Sequence, residues 1–184
     1  MSTAPDVHRH VETSFRDAPV VGVVRTGDRR EALAQARSFE DGGLELIEIT
    51  FTVPGAPDLV RQLLSERSGG GPPWIGMGSA TTPERAEEAL AAGAEFIVTP
   101  NVDPEVARRV KDAGVFLVIG ALTPSEIVAA HRAGLSCVLF DKSCVVASIS
   151  GYPTWMTFFS TAERLEIGGV PFPAACWQCP AGWR

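Results

Sequence analysis

The sequence predicts an α/β fold of the (β/α)8 barrel type, the TIM barrel, and three observations support this. Six short apolar segments rich in Val and Ile recur along the chain, and their starts are separated by 25, 29, 21, 20 and 21 residues. Stretches with helical periodicity lie between them, bounded by capping residues. Almost continuous apolar character is typical of parallel strands that are covered on both faces.

The six apolar segments are the predicted strands. They are "VVGVV" (20–24), "ELIEITF" (45–51), "WIGMG" (74–78), "EFIVT" (95–99), "VFLVIG" (115–120) and "SCVLF" (136–140). Even spacing favours a barrel over an open doubly wound sheet, and "VVRTGDRRE" after the first strand lacks a glycine-rich dinucleotide loop. In such a barrel the chemistry is expected at the C-terminal ends of the strands.

Capping signals mark the helices between the strands. Asp28 with Glu31, and Thr123 with Glu126, have the spacing of a capping box. Three prolines follow a Thr or Asp, as expected at the first helical position, and three glycines follow a last helical turn, where a left-handed residue ends a helix. The prolines are Pro83, Pro104 and Pro124, and the glycines are Gly93, Gly114 and Gly134.

The regular pattern ends near residue 142. We therefore predict one domain over 1–184, with recognisable barrel units over 17–142 and a divergent tail over 143–184. The final 42 residues hold three of the four tryptophans and no comparable capped helix, so the last two β–α units are predicted to be incomplete or altered. Our hypothesis is a frameshift upstream of residue 143, which reading the coding DNA in its other two frames would test.

Charge and hydropathy disfavour two classes of partner. The formal net charge is −6, which argues against a nucleic-acid or anionic-membrane surface but leaves open a local basic site for a small anion. No apolar run approaches the roughly 20 residues of a membrane span. The segment "MSTAPDVHRHVETSF" lacks the apolar centre of a signal peptide. We predict a cytoplasmic protein without nucleic-acid or membrane partners.

The cysteines and histidines do not form a recognisable metal motif. The pair Cys176 and Cys179, in "CWQC", has no second pair with matching spacing, although a structural zinc site usually needs four ligands. We predict free thiols and no metal or other cofactor; a site completed in space by distant histidines stays an alternative. The "HRH" at 8–10 is interpreted as a solvated N-terminal segment.

Glu48 is the first candidate for chemistry, because it interrupts the apolar strand "LELIEITF". Alternation places Leu46, Glu48 and Thr50 on one face of the strand and the isoleucines on the other. If the isoleucines pack against helices, Glu48 points into the barrel, where burial raises the pKa of a carboxyl group and suits a general acid or base. The alternative is a structural glutamate paired with Arg25.

Polar and glycine residues end the neighbouring strands. Arg25 follows the first strand and could bind a carboxylate or phosphate, or be a surface arginine. "GMGSA" (76–80) ends the third strand, and its backbone N–H groups would suit an anionic oxygen. Pro100, in "VTPN", would form a rigid wall or only a turn.

Several phrases together resemble one family. "PVVGVVR", "GGLELIEITFTVPGA", "WIGMGSATTPE", "AGAEFIVTPNVDPE" and "GALTPSEIVAAHRAG" are similar, over roughly residues 17–140, to the 2-keto-3-deoxy-6-phosphogluconate (KDPG) and 4-hydroxy-2-oxoglutarate (KHG) aldolases. The resemblance implies a trimeric eight-stranded barrel. It also implies a class I aldolase that cleaves a 2-keto-3-deoxy-6-phospho sugar acid to pyruvate and glyceraldehyde 3-phosphate without metal.

The resemblance also implies site residues. Glu48 would be the proton-shuttling acid and base, and Arg25 would contact polar groups of the substrate. Ser79, with backbone N–H groups around Gly78, would hold the carboxylate of pyruvate. Pro100 would line the pocket. Thr52 stands where many members have a carboxylate-binding arginine, so that anchor is weakened in this chain.

The position of the amine departs from the family pattern. A class I aldolase needs a partly neutral amine to form an iminium with the ketone. The family lysine lies on strand six, and the equivalent position here is Leu139. Lys142 lies three residues later, about 10 Å along an extended strand, and only a bulge or an early strand end would bring it back. Lys111 lies in a predicted helix, so Lys142 is the candidate amine, with a non-catalytic loop lysine as the alternative.

A second departure concerns the phosphate loop. The family has a T-G-G-[IV] sequence after strand seven, whose N–H groups can hold a phosphate. "EIGGVP" supplies Gly168 and Gly169, with isoleucine in place of threonine. The sequence thus predicts a Schiff-base aldolase, with a catalytically inactive ligand-binding or assembly protein as the rival. A metal-dependent aldolase is disfavoured for want of a ligand cluster.

Overall fold

Five parallel strands alternate with helices in the computed structural model, which describes residues 4–67, 69–121 and 123–132. The elements are α1 (Ala4–Asp17), β1 (Gly22–Val24), α2 (Arg29–Asp41), β2 (Leu46–Thr50), α3 (Ala56–Glu66), β3 (Trp74–Gly78), α4 (Pro83–Ala91), β4 (Phe96–Thr99), α5 (Pro104–Asp112), β5 (Phe116–Ile119) and α6 (Pro124–Arg132). The first five predicted strands are present, and the predicted parallel α/β fold is confirmed. The predicted sixth strand lies outside the described residues.

Chain contacts divide the protein into two compact units, Met1–Leu122 and Thr123–Arg184. The first unit contains α1–α5 and all five described strands. The second contributes α6. The prediction of a single domain over 1–184, with a divergent tail from 143, stays a prediction, because the tail lies outside the described residues.

The five strands form one sheet in the order β1-β2-β3-β4-β5, and each pairs parallel with the next. Two rows of the register matter for the site. The first row is Val23, Glu48, Gly76, Phe96 and Phe116, and the second includes Thr50, Gly78, Val98 and Val118. Side chains in one register row share a face of the sheet. The second row lies two residues after the first along each strand, so both rows face the same side.

The two faces of the sheet bury different sets of side chains. Ile47, Ile49 and Met77 pack with residues of the helices, including Ala32 and Leu59, in the larger apolar core. The opposite face, which carries Glu48, contributes to a smaller core with α1. That core contains Val11, Phe15, Leu46, Trp74 and Phe96. Both faces of the strands are therefore covered, which explains their almost continuous apolar sequence.

Residues 8–10, which were interpreted as a solvated segment, lie in helix α1. Arg9 and His10 are indeed exposed, but the segment is helical. Phe15 contacts Phe96 edge-on, with ring centroids 5.4 Å apart, and the Nδ1 atom of His8 lies 3.1 Å from the carbonyl oxygen of Gly114. Valines and phenylalanine recur every four residues in "VHRHVETSF" and so lie on one face of the helix.

The predicted caps form where they can be observed. The side chains of Asp28, Thr82 and Asp103 each accept a backbone N–H of the helix that follows. The box at Thr123 is reciprocal: Thr123 N donates to Glu126 Oε2 (2.8 Å) and Glu126 N to Thr123 Oγ1 (3.3 Å). The box at Asp28 is only half formed, because the Glu31 carboxylate accepts from Thr26 instead. Gly93 (φ 84°) and Gly114 (φ 70°) are left-handed, as expected.

A largely buried ion pair supports the start of β3. Arg67 and Glu95 form a two-point interaction, with N···O distances of 2.8 and 2.7 Å, and their side chains are 15% and 9% exposed. Glu95 also accepts the N–H of Ile75 (2.9 Å), and Arg67 donates to the carbonyl of Pro73 (2.9 Å). Among the helices within the described ranges, none combines the length and apolarity needed to cross a membrane.

Candidate active site

Glu48 occupies the middle of β2, on the face that also carries Leu46 and Thr50. Its side chain is 7% exposed and lies in register between Val23 and Gly76. The carboxyl end reaches towards the C-terminal end of β3, because a Cβ atom built on Gly78 would overlap Oε1 and Cδ of Glu48 and lie 2.7 Å from its Cγ. The glycine therefore leaves the space that the carboxyl group fills.

The environment of Glu48 makes its carboxyl group a weaker acid than an exposed glutamate. Burial raises the pKa of the Glu48 carboxyl above its ordinary value, and the positive charge of Arg25 opposes part of that rise. Burial is the larger effect, because a carboxylate that loses water is not fully compensated by one exposed cation. A raised pKa brings the carboxyl closer to the range in which it can both give up and take back a proton, as an acid–base catalyst must.

Arg25 directly follows β1 at the end where Glu48 points. It is exposed, and it comes one residue after the pair that Val24 forms with Ile49. Its charge acts on Glu48 without removing the effect of burial. An exposed guanidinium at a strand end can also bind a carboxylate or phosphate through two parallel hydrogen bonds.

The turn after β3 has an unusual backbone. Ser79 has φ 64°, and it is the one non-glycine residue with positive φ among those that the structure describes. This conformation costs about 1–2 kcal/mol for a residue with a Cβ. The turn is held by hydrogen bonds from Thr81 N to Ser79 O (2.9 Å) and from Phe51 N to Gly78 O (2.9 Å). The turns after β2 and β3 are thus joined.

The hydroxyl groups of Thr52 and Thr50 form a directed chain of two hydrogen bonds that ends at the carbonyl oxygen of Val24. Thr50 Oγ1 lies 3.0 Å from the carbonyl oxygen of Val24 and 2.6 Å from Thr52 Oγ1. A carbonyl oxygen can only accept, so the one hydroxyl proton of Thr50 goes to Val24. Thr52 must then donate to Thr50, and its own Oγ1 presents lone pairs to solvent.

Pro100 follows β4 and lies against the end of β5. A Cβ atom built on Gly120 would lie 2.5 Å from the carbonyl oxygen of Pro100 and 2.8 Å from its carbonyl carbon. The N–H of Gly120 donates to Thr99 O (2.8 Å). The absence of a side chain at 120 allows this close approach, which fixes Pro100 at the C-terminal ends of β4 and β5.

Six of the predicted site residues therefore either lie at the C-terminal ends of β1–β4 or reach those ends with their side chains. These are Arg25, Glu48, Thr52, Gly78, Ser79 and Pro100. Lys142, Gly168 and Gly169 lie outside the described residues, as does Leu139. Within the described ranges, no group of three or more His, Cys, Asp or Glu side chains could hold a metal ion.

One residue of this region was not singled out in the sequence. Arg85, the third residue of α4, donates from Nη1 to Ser79 O (3.3 Å) and to Thr81 Oγ1 (3.2 Å). Its position three residues after the N-cap Thr82 was visible, but that spacing is ordinary for an exposed helical arginine. Only the folded geometry connects it with Ser79.

The family model for KDPG and KHG aldolases matches residues 11–172, most of the chain. The chain belongs to this family. Curated KDPG aldolase relatives agree with the assignment. The 2-dehydro-3-deoxy-phosphogluconate aldolase of Treponema pallidum is 33% identical over 155 residues, covering 84% of this chain and 71% of the relative. The enzyme of the same name from Pseudomonas aeruginosa is 31% identical over 175 residues, covering 94% and 70%.

Solved structures of KDPG aldolases have the same fold. The 2-keto-3-deoxy-6-phosphogluconate aldolase of Zymomonas mobilis with 3-phosphoglycerate superimposes with a TM-score of 0.60 at 24% identity, covering 70% of this chain and 59% of that one. A structure described as native KDPGal gives 0.56 at 29% identity, covering 63% and 55%. The chain therefore spans less than two thirds of these two solved proteins. Its own parallel α/β fold is consistent with a TIM-barrel type.

Proposed function

We propose that the protein is a class I, Schiff-base aldolase that cleaves a 2-keto-3-deoxy-6-phospho sugar acid to pyruvate and glyceraldehyde 3-phosphate. The observation that carries the proposal is the carboxyl group of Glu48. It is buried in a row of otherwise apolar or glycine residues, it reaches the C-terminal end of the sheet, and burial raises its pKa. Such a group is costly to bury, and membership of an aldolase family gives it a use.

In the proposed reaction, a lysine amine condenses with the keto group of the substrate and water leaves. Ionised Glu48 accepts the proton of the substrate's C4 hydroxyl as the C3–C4 bond breaks, and the electron pair of that bond moves to the iminium, giving an enamine and the aldehyde. Glu48 then returns the proton to C3, and water releases pyruvate. One carboxyl group with a pKa above its ordinary value suits both steps.

The carboxylate of the keto acid is proposed to bind at the turn after β3. The N–H groups of Ala80 and Thr81 already donate to Val98 O (3.3 Å) and Ser79 O (2.9 Å). The proposed donors to the carboxylate are therefore the N–H and hydroxyl groups of Ser79, whose direction the left-handed backbone sets. Arg25 is proposed to contact other polar groups of the substrate. Thr52, whose oxygen presents lone pairs, would accept a hydrogen bond from a substrate hydroxyl rather than donate to a carboxylate.

Lys142 is the proposed amine, with Gly168 and Gly169 as the phosphate-binding residues. All three assignments rest on the sequence and the family resemblance. The alternative function is that of a catalytically inactive family member that binds a ligand or assembles with other subunits. Leu139, at the position of the family lysine, is the specific observation that favours this alternative. A homotrimer in the cytoplasm, acting on a small 2-keto acid without a cofactor, completes the proposal.

Borohydride trapping with pyruvate tests the amine directly. The wild type is expected to gain the mass of one reduced pyruvate, and peptide mapping is expected to place it on Lys142. The variant Lys142→Met should gain none, whereas the matched control Lys111→Met should behave as the wild type. No adduct on any lysine of the wild type would favour the inactive family member over the enzyme.

A cleavage assay tests the proposed acid–base group. The variant Glu48→Gln keeps the size of the side chain but cannot exchange a proton, so we expect cleavage of KDPG to fall by about 10²–10⁴-fold. Pyruvate trapping should persist if Lys142 is intact. Full cleavage activity in this variant would exclude Glu48 as the acid and base.

A further inference from the structure

Arg85 connects two turns that carry proposed substrate-binding residues. Its Nη1 atom donates to Ser79 O (3.3 Å) and to Thr81 Oγ1 (3.2 Å), both in the turn after β3. Its guanidinium carbon lies 5.4 Å from the ring centroid of Phe51, in the turn after β2. Phe51 in turn immediately precedes Thr52. One exposed side chain therefore contacts both turns.

The arginine is itself held at its backbone. Arg85 N donates to the N-cap oxygen Thr82 Oγ1 (3.3 Å), and the first helical residue Pro83 presets the backbone of the first turn. The side chain then reaches back past the start of α4 to the turn that precedes it. The capped start of α4 therefore fixes the backbone position from which the Arg85 side chain reaches Ser79.

The turn after β3 needs such contacts. Ser79 has a left-handed backbone (φ 64°) that residues with a Cβ adopt rarely, and such a conformation persists only where its surroundings determine it. The carbonyl oxygen of Ser79 accepts two donors, Thr81 N and Arg85 Nη1. The first is local to the turn, and Arg85 is the donor that ties the turn to a helix.

We propose that Arg85 is a positioning residue for the carboxylate-binding turn: it holds Ser79 and its neighbours in the orientation that receives the carboxylate of the 2-keto acid. The inference rests on the proposed function, because that function assigns the carboxylate to this turn. Arg85 acts through Ser79 and Thr81 and does not contact the reacting atoms.

Three variants separate this role from a general effect on folding. Arg85→Ala removes both the hydrogen bonds and the contact with Phe51. Arg85→Lys keeps a cation and N–H donors, and is the conservative variant. Arg61→Ala is the matched control, since Arg61 is an exposed arginine of α3 that forms an ion pair with Asp58 on the same helix.

Two measurements are made on each full-length variant. Hydrogen exchange read by mass spectrometry reports the opening of peptides that cover residues 76–82, compared with peptides from α4 and α5. Ligand-observed NMR reports the dissociation constant of pyruvate, a readout that does not need a reactive lysine. Borohydride trapping of the same wild-type preparation reports the proposed function separately.

For Arg85→Ala we expect exchange over 76–82 to accelerate at least about fivefold, while α5 is unchanged, and the dissociation constant of pyruvate to rise about tenfold. Arg85→Lys should keep most of the wild-type protection over 76–82 and most of the wild-type affinity for pyruvate. Arg61→Ala should match the wild type in both measurements. Unchanged exchange over 76–82 would overturn the inference, as would faster exchange without weaker pyruvate binding.

The remaining outcomes distinguish failure of the inference from failure of the proposed function. Faster exchange across both α4 and α5 would assign Arg85 a general structural role and overturn the inference. Pyruvate binding without a trapped adduct in the wild type would count against the proposed function alone, and the variants would still test Arg85. A wild type that binds no pyruvate would overturn both, because no carboxylate site would exist for Arg85 to serve.

Discussion

The carboxyl group of Glu48 fills the space that a side chain at Gly78 would need. The two residues lie on neighbouring parallel strands, and Gly78 is paired with Thr50, two residues beyond Glu48. A Cβ atom at residue 78 would overlap Oε1 and Cδ of Glu48. The strand pairing therefore makes glycine at 78 a condition for the observed position of the proposed acid and base.

Gly78→Ala is accordingly expected to displace the Glu48 carboxyl and to lower the rate of KDPG cleavage about 10²-fold, as misplacement by about 1 Å can do. Steady-state kinetics would measure the loss. Gly71→Ala is the control, because a Cβ atom there meets nothing within 4 Å. Wild-type rates in Gly78→Ala would show that the position of the carboxyl does not matter for the reaction.

The pKa of Glu48 can be measured through its own side chain. Burial raises this pKa above the ordinary value of 4.5, and Arg25 lowers it in part. Carbon-13 NMR of the carboxyl should therefore give a midpoint above that value, and a higher one in Arg25→Met. Arg30→Met, which removes an exposed arginine of α2, should leave the midpoint unchanged. A lower midpoint in Arg25→Met would reverse the assigned electrostatic effect.

The same shift predicts how stability depends on pH. Because burial favours the protonated form, the folded state binds more protons than the unfolded state between the two pKa values of Glu48. The contribution of Glu48 to the free energy of unfolding therefore falls as pH rises through this window and is constant above it. The variant Glu48→Gln should not show this decrease in the free energy of unfolding, because its side chain does not titrate.

Urea unfolding at several pH values would measure the difference. The stability of Glu48→Gln relative to the wild type should increase from about pH 4 and level off above the folded-state pKa. Glu40→Gln, in which an exposed carboxylate is removed, provides the control for net charge. A relative stability that declines with rising pH would contradict the raised pKa.

Arg67 should matter for stability rather than for chemistry. Arg67→Met leaves the buried carboxylate of Glu95 with the N–H of Ile75 but without its cation, so we expect the free energy of unfolding to fall by about 3 kcal/mol. Chemical denaturation would measure this. Arg61→Met breaks an exposed pair with Asp58 and should have a much smaller effect; equal losses would argue against burial as the cause.

Helix α1 should contribute strongly to stability through Phe15. Phe15 is 5% exposed, and its ring lies 5.4 and 5.2 Å from those of Phe96 and Phe116. Phe15→Ala is expected to lower the free energy of unfolding by about 3 kcal/mol. Val20→Ala, at a residue that is 58% exposed, should change it by less than about 0.5 kcal/mol. A near-neutral Phe15→Ala would mean that α1 does not pack as described.

The repeated β–α units could be predicted because each is specified locally. Proline behind an N-cap, glycine after the last turn and short apolar strands act over a few residues, and five strands follow from them. Helix α1 has the same local signal, with Val7, Val11 and Phe15 on one face. It was missed because the histidines and arginine between them made the segment appear solvated.

The candidate site could be predicted only in part. Alternation along β2 is sufficient to place Glu48 on the face opposite Ile47 and Ile49. The contact with Gly78 depends on strand register, and the contact of Arg85 with Ser79 depends on how a side chain turns back past its own helix start. Neither is encoded in spacing along the chain. Lys142, Gly168 and Gly169 stay predictions.

Helix α1 has one further consequence for the candidate site. Its Val11 and Phe15 lie against Leu46, Trp74 and Phe96, beneath Glu48 on the same face of the sheet. Within the described residues, these apolar side chains cover the amino ends of β2, β3 and β4 on that face. We therefore expect a ligand to reach Glu48 from the C-terminal ends of the strands. Substitutions in the loops at that end would alter ligand entry without changing the packing of α1.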